Sequence, residues 1–157
     1  MADRRDVARA MAFFERSDDV ALLHRLATDI APRAKRMVGQ IIARRGEDGI
    51  PPPSDLRAAR DAATEPQALA TLKAVDDFAL LQVLARSIGQ RLETLEIAAS
   101  AQFPEGARVR VPARATFPAG PANEPGTVES TGTMLTVLLD NGESWEGPPS
   151  LAQLDRG

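Results

Sequence analysis

The spacing of apolar residues changes once along this chain, at Phe103-Pro104-Glu105-Gly106. Before that point apolar residues recur every three or four positions, as on one face of an α-helix, and after it they alternate with polar residues, as along a β-strand. The Pro and Gly at the change interrupt both kinds of element. The sequence therefore predicts an α+β protein with two domains, an α-helical bundle over residues 1–103 and a β domain over residues 104–157.

The bundle is predicted to contain two long and two short helices. The first, short helix covers residues 3–16 and buries a stripe formed by Val7, Met11 and Phe14. The second, long helix covers residues 18–45, and Ser17 is its predicted N-cap. Asp18 and Asp19 then lie in its first turn, where carboxylates complement the helix dipole.

Two further helices are predicted after a stiff connector that contains three consecutive prolines, Pro51 to Pro53. A short helix over residues 54–63 begins at Ser54. The last helix begins with a capping box formed by Thr64 and Gln67 and continues to about residue 102. Its middle is apolar nearly all round and is expected to lie at the centre of the core.

A heptad-like seam runs along the second helix, with apolar residues at alternating spacings of three and four: Val20, Leu23, Ala27, Ile30, Ala34, Met37 and Ile41. Leu22 and Leu26 widen this stripe. Pro32 lies within the helix and is expected to kink it or to leave the Thr28 carbonyl without a partner. A short bundle does not need so much apolar surface, so the helical domain is predicted to self-associate, as a dimer.

The last third of the chain reads as five short strands. Alternating segments occur at residues 108–111, 126–129 and 133–139, and the chain returns at 144–146 and closes after Pro148-Pro149-Ser150-Leu151. Asn141-Gly142 predicts a tight hairpin with a type I′ turn, because both residues tolerate positive φ. Short strands around one long early loop and one tight late hairpin indicate a small barrel.

These segments resemble the SH3-like barrels of the KOW and Tudor type. The matching pieces are Gly106 with Arg108-Val109-Arg110-Val111, Gly126-Thr127-Val128, Leu138-Leu139-Asp140-Asn141-Gly142 and Pro148-Pro149-Ser150-Leu151. The resemblance implies a five-stranded SH3-like β-barrel. Such barrels bind RNA, methylated lysine or proline-rich peptides, or serve in assembly, so the resemblance implies no single activity.

No catalytic constellation is predicted. The chain has no Cys, and its one His, His24, lies between Leu23 and Arg25 within a helix, where an ordinary, partly exposed position is expected. The neighbouring carboxylates Asp76 and Asp77 diverge by about 100° on a helix, so they are expected on its surface rather than in a carboxylate dyad. We therefore expect no enzyme activity, no metal and no cofactor.

The location of the protein is inferred from what its sequence lacks. The first residues form no apolar run of the signal-peptide kind, and no stretch approaches the roughly 18 apolar residues of a membrane span. A cytoplasmic protein without membrane contact is expected. Only two of the 19 basic residues, Lys35 and Lys73, are lysines, a bias typical of GC-rich bacterial genomes.

Five basic residues form a run without an intervening acid: Arg33, Lys35, Arg36, Arg44 and Arg45. Together with Arg108, Arg110 and Arg114 they could bind the phosphates of a nucleic acid. No aromatic residue is interleaved for base stacking, and the net charge of the chain is −3. Nucleic-acid binding is therefore the alternative, and a solvated helix face is the simpler interpretation.

The hairpin of the β domain is the predicted site of partner contact. Trp145 either fills the core or anchors a partner, and Asn141, Glu143 and Glu146 surround it. An apolar centre with an acidic rim suits a basic peptide. A methyl-lysine cage needs more aromatic residues than this domain contains.

Two glycines, Gly39 and Gly89, occur in similar Arg-x-(Val/Ile)-Gly-Gln segments of the two long helices. Glycine inside a helix costs about 1 kcal/mol relative to Ala. Either coincidence or close helix–helix approach explains them. Taken together, the sequence predicts a non-enzymatic interaction or assembly protein, in which the helices mediate homo-oligomerisation and the barrel contacts a protein partner.

Overall fold

The computed structural model describes residues 2–156, which form two compact units that divide between Arg91 and Leu92. We call them the helical unit and the sheet unit. Four α-helices precede a five-stranded antiparallel sheet, so the predicted α+β class is confirmed. The sequence places the domain boundary at 103/104, whereas the division between the compact units falls inside the last helix.

The helices are α1 (Arg4–Arg16), α2 (Val20–Arg45), α3 (Glu65–Ala74) and α4 (Phe78–Ser100). The strands are β1 (Arg108–Val111), β2 (Glu124–Ser130), β3 (Leu135–Leu139), β4 (Ser144–Gly147) and β5 (Gln153–Leu154). Short 3₁₀ turns occupy Glu47–Gly49 and Pro149–Leu151.

The start of α2 differs from the prediction. Its N-cap is Asp19, whose carboxylate accepts the Leu22 N–H at 3.0 Å, and Ser17 instead ends α1. The Ser17 hydroxyl, two residues earlier, accepts the Asp19 N–H at 3.2 Å and so helps to hold the cap residue. The Asp18 carboxylate forms an ion pair with Arg91, with 2.6 Å between Asp18 Oδ1 and Arg91 Nη2. The helix therefore begins two residues later than predicted, because the charged oxygen of Asp19 reaches the free N–H groups.

The predicted short helix over residues 54–63 is absent. All of these residues are described, and none is helical. Their main chain bonds to α1 instead: the Ala59 N–H donates to Ala8 O at 2.9 Å and the Ala63 N–H donates to Arg9 O at 3.0 Å. Hydrogen bonds to a helix distant in sequence thus replace the local ones that a helix would supply.

The predicted last helix is two helices, α3 and α4, separated by residues 75–77. The capping box of Thr64 and Gln67 begins α3, as predicted. Val75 is buried and extended at the break. Asp77 then caps α4 by accepting the N–H groups of Ala79 at 2.8 Å and Leu80 at 3.3 Å. Asp76 and Asp77 are both exposed, as predicted, and the cap formed by Asp77 is an additional role that the sequence did not predict.

The core of the helical unit has the composition that the sequence predicts. Val7, Met11 and Phe14 of α1 are buried. Leu81 and Leu84, from the apolar middle of the predicted last helix, are also buried.

The strand order in the sheet is β4-β3-β2-β1-β5. The edge strands β4 and β5 do not pair with each other, so the sheet is not closed into the predicted barrel. Pro148 and Pro149 follow β4 directly, and proline has no N–H to continue a ladder. The inward-facing core residues of the sheet are mainly aliphatic: Val109, Val111, Val128, Leu135, Val137 and Leu139.

The hairpin between β3 and β4 occurs where predicted, but its turn is not type I′. Among the described residues only glycines have positive φ, and Gly142 has φ 91°. The Gly142 N–H donates to Leu139 O at 2.9 Å, and the Leu139 N–H donates to Glu143 O at 2.8 Å. This is the pattern of a three-residue loop that ends in a left-handed glycine.

The C-terminal turns of α4 belong to the sheet unit. Glu96 is buried there, and its carboxylate accepts the Ser150 N–H at 3.0 Å. The Thr131 hydroxyl donates to Ser100 O at 3.3 Å. Within residues 2–156, no helix is both long enough and apolar enough to cross a membrane.

Candidate interaction surfaces

Helix α2 leaves much of its apolar surface uncovered. Its buried residues are Leu22, Leu23 and Ile30, all in the first half. In the second half, residues 31–45, Met37, Val38 and Ile41 are only half-buried, and Ile42 is 40% exposed. The predicted seam is thus covered at its start and open at its end.

A groove runs along this open half, and we call it the α2 groove. Met37, Ile41, Pro51 and Phe78 line its apolar part, and it encloses about 440 Å³. Apart from α2, its lining comes from Gly49 and Pro51, shortly after the helix ends, and from residues 76–78 at the start of α4.

The charged residues that line the α2 groove come from different segments. Arg44 and Arg45 come from α2, and Asp76 and Asp77 come from the segment before α4. Within residues 2–156, Arg44, Arg45 and Asp76 make no ion pair. The groove therefore presents an apolar strip with unpaired cations on one segment and carboxylates on the other.

The predicted basic run is not one continuous surface. Arg33 points to α3 and donates hydrogen bonds to the main-chain oxygens of Leu72 and Val75. Lys35 and Arg36 are exposed outside the α2 groove, whereas Arg44 and Arg45 line it. One residue of the run thus holds α2 to α3, two face solvent, and two line the α2 groove.

The arginines of β1 are engaged by acids. Arg108 makes two short contacts with Asp140, at 2.7 and 2.6 Å, and Arg110 lies 3.2 Å from Asp155. The hydrogen bond from Arg108 lowers the pKa of Asp140, and the same bond raises the pKa of Arg108. Arg114 is exposed in the long loop. Two of the three arginines that the β domain contributes to the alternative phosphate-binding set are therefore already paired with acids.

Trp145 lies in the core of the sheet unit, with 5% of its surface exposed. Its ring lies over Gly147, where an added Cβ would come within 2.7 Å of the ring and within 2.6 Å of Ala115. This burial fits the core interpretation of Trp145 and does not fit a surface anchor. The packing of the Trp145 ring over Gly147 was not predicted from the sequence. A glycine two residues away on the same strand face could have indicated it.

The other predicted hairpin residues, Asn141, Glu143 and Glu146, are exposed. The Asn141 side chain accepts the Glu143 N–H at 2.8 Å, so it shapes the loop. The apolar centre beside them is Leu138, which is 44% exposed and pairs with Ser144 across β3 and β4. Strand alternation could have found it, since Leu138 shares a face with Thr136 and not with Val137.

The catalytic and metal-binding possibilities gain no support from the geometry. His24 is half-buried on α2. No group of three His, Asp or Glu side chains in the described part of the chain could hold a metal ion. The absence of enzyme activity and of a cofactor stays a prediction.

Gly39 and Gly89 do not mark close helix contacts. A Cβ added at either position would meet no atom within 4 Å. Both residues are exposed. The interpretation that the two glycines allow close approach within the chain is therefore wrong.

The comparisons with known proteins give no relative from which a role could be transferred. No protein-family model, no curated protein and no solved structure matches this chain significantly.

Proposed function

We propose that this protein is a non-enzymatic interaction or assembly protein, in which the helical unit mediates homo-oligomerisation and the sheet unit contacts a protein partner. The observation that carries the proposal is the open half of α2. Met37, Val38, Ile41 and Ile42 form an apolar surface that the rest of the chain leaves partly exposed. Apolar surface of this kind, rimmed by polar residues, is typical of protein interfaces.

Protein contact fits the chemistry of this surface better than nucleic-acid contact does. The centre of the surface is apolar, and the carboxylates Asp76 and Asp77 lie in the same groove as Arg44 and Arg45. A phosphate backbone would be repelled by these acids. Arg108 and Arg110 have carboxylate partners already, which removes much of the alternative site.

Oligomerisation through α2 is tested by light scattering on the full chain and on Ile42→Glu. We expect the unaltered protein to be a dimer at micromolar concentration and the variant to be a monomer, because the new charge would be buried in the interface. Ile97→Glu is the matched control, since Ile97 is 50% exposed on α4. An Ile42→Glu protein that stays dimeric would contradict the role of α2.

For the sheet unit, a relationship to the SH3-like barrels stays part of the proposal, with the sheet open between β4 and β5. Its support is the strand order, which returns β5 to the side of β1, together with the long loop after β1 and the 3₁₀ turn before β5. The proposed contact surface is the outer face of the hairpin, where Leu138 lies with Glu143 and Glu146. Trp145 supports this surface from the core.

A basic peptide is the partner that this acidic surface favours. Titration of the labelled protein with an Arg-rich peptide should shift the amide signals of Leu138, Glu143 and Glu146. The double variant Glu143→Gln/Glu146→Gln should abolish these shifts, and Glu105→Gln, which changes an exposed acid outside the hairpin, should not. Equal binding by all three proteins would contradict the site.

A further inference from the structure

The α2 groove fits a second copy of the same chain. Residues four apart on a helix form ridges, and the ridge of one helix packs between the ridges of its partner. Val38 and Ile42 form such a ridge on α2, and it lies directly beside the groove-lining residues Met37 and Ile41. One chain therefore carries both a partly exposed apolar ridge and an open apolar groove.

The charged residues of one α2 groove complement those of the same groove on a second copy. A two-fold axis along the groove would place the Arg44–Arg45 segment of each copy against the Asp76–Asp77 segment of the other. Unlike charges would then face each other twice. Arg44, Arg45 and Asp76 make no ion pair within the described residues, so they are free to make these contacts.

We propose that the protein forms a two-fold dimer in which each copy inserts the Val38–Ile42 ridge into the α2 groove of the other, with Arg44 and Arg45 facing the partner's Asp76 and Asp77. This inference rests on the proposed function and names the surfaces through which two copies of the helical unit pair. A two-fold arrangement is closed, so assembly stops at the dimer.

Charge reversal tests the pairing. One variant carries Arg44→Glu and Arg45→Glu, and the other carries Asp76→Lys; Asp77 is kept because it caps α4. Each variant alone should dimerise at least about tenfold more weakly than the unaltered protein, because like charges then face each other. An equal mixture should form a heterodimer, since both facing pairs become opposite in charge again. Native mass spectrometry separates the three dimers by mass.

Matched controls use charged residues outside the groove. Arg36→Glu reverses a cation on the same helix, and Glu93→Lys reverses an exposed acid on α4. Neither should change dimerisation, and their mixture should form heterodimers only in the statistical proportion. Circular dichroism on every variant checks that the helices are intact.

Cross-linking gives a second measurement that does not depend on charge reversal. The chain has no Cys, so single cysteines introduced at chosen positions react alone. A mixture of Ile42→Cys and Asp76→Cys proteins should cross-link efficiently with a short bismaleimide, whereas Arg36→Cys mixed with Asp76→Cys should not.

The outcomes separate this inference from the proposed function. If the unaltered protein dimerises but the two charge variants dimerise equally well, the groove pairing is wrong and oligomerisation stands. The same conclusion follows if the mixture gives no excess of heterodimer. If the unaltered protein is a monomer, both the proposed oligomerisation and the pairing are wrong.

Discussion

Arg33 donates a hydrogen bond from Nη1 to the main-chain oxygen of Leu72 at 2.6 Å, which ties the middle of α2 to the end of α3. The same guanidinium also donates to the Val75 oxygen. The last carbonyls of a helix lack helical partners, and an arginine satisfies them well. A residue of the basic run, for which the sequence offers phosphate binding as the alternative to a solvated helix face, thus holds two helices together.

Arg33→Ala should therefore destabilise the helical unit by roughly 1–3 kcal/mol, because charged hydrogen bonds to buried carbonyls are lost. Arg36→Ala, which removes an exposed cation three residues later, should change stability by less than about 0.5 kcal/mol. Urea unfolding of the two variants measures the difference. Equal stabilities would show that the Arg33 contacts contribute nothing.

Trp145→Ala should destabilise the sheet unit by about 3–5 kcal/mol, since it leaves a cavity in the core. Gly147→Ala should also be destabilising, because its Cβ would overlap the Trp145 ring. Thermal unfolding followed by Trp fluorescence for Gly147→Ala, and by circular dichroism for Trp145→Ala, measures both effects. A Trp145→Ala protein with an unchanged melting temperature would restore the surface-anchor interpretation.

Gly39→Ala and Gly89→Ala should each raise the stability of the protein by about 0.5–1 kcal/mol, through helix propensity alone. Neither new Cβ meets an atom within 4 Å. The melting temperature of each variant measures this effect. A decrease for either one would indicate a close contact at that glycine after all.

The Arg108–Asp140 pair should make stability depend on pH in the acid range. Since Arg108 lowers the pKa of Asp140, the contribution of the pair is fully present above the unfolded-state pKa of about 3.9. It is lost as the pH falls through the lower folded-state pKa. NMR titration of the Asp140 carboxyl should show this low midpoint, and Arg108→Ala should raise it. An unchanged midpoint in Arg108→Ala would show that the pair is not formed.

Local signals in the sequence predict several elements correctly, and contacts between distant residues explain the failures. The Thr64–Gln67 capping box and the end of α2 at Arg45 depend on neighbouring residues, and the structure confirms both. The extended path of residues 54–63 depends on hydrogen bonds to α1, about fifty positions earlier, which no local pattern reports. The break before α4 likewise depends on the burial of Val75.

For the candidate sites too, local sequence signals predict part of the arrangement and contacts between distant residues determine the rest. Alternation along β3 and β4 places Trp145 on the same side as Val137, but only the packed sheet shows that this side is the core. The basic run is visible in the sequence. Its division between α3, solvent and the α2 groove requires the positions of Leu72 and Asp76 in space.

Sedimentation equilibrium on the unaltered chain, over a range from low to high micromolar concentration, measures self-association without any substitution. The chain has a mass of 16.8 kDa. Self-association through α2 predicts that the apparent mass rises with concentration and levels off at twice this value. A mass that stays at 16.8 kDa throughout would contradict the account.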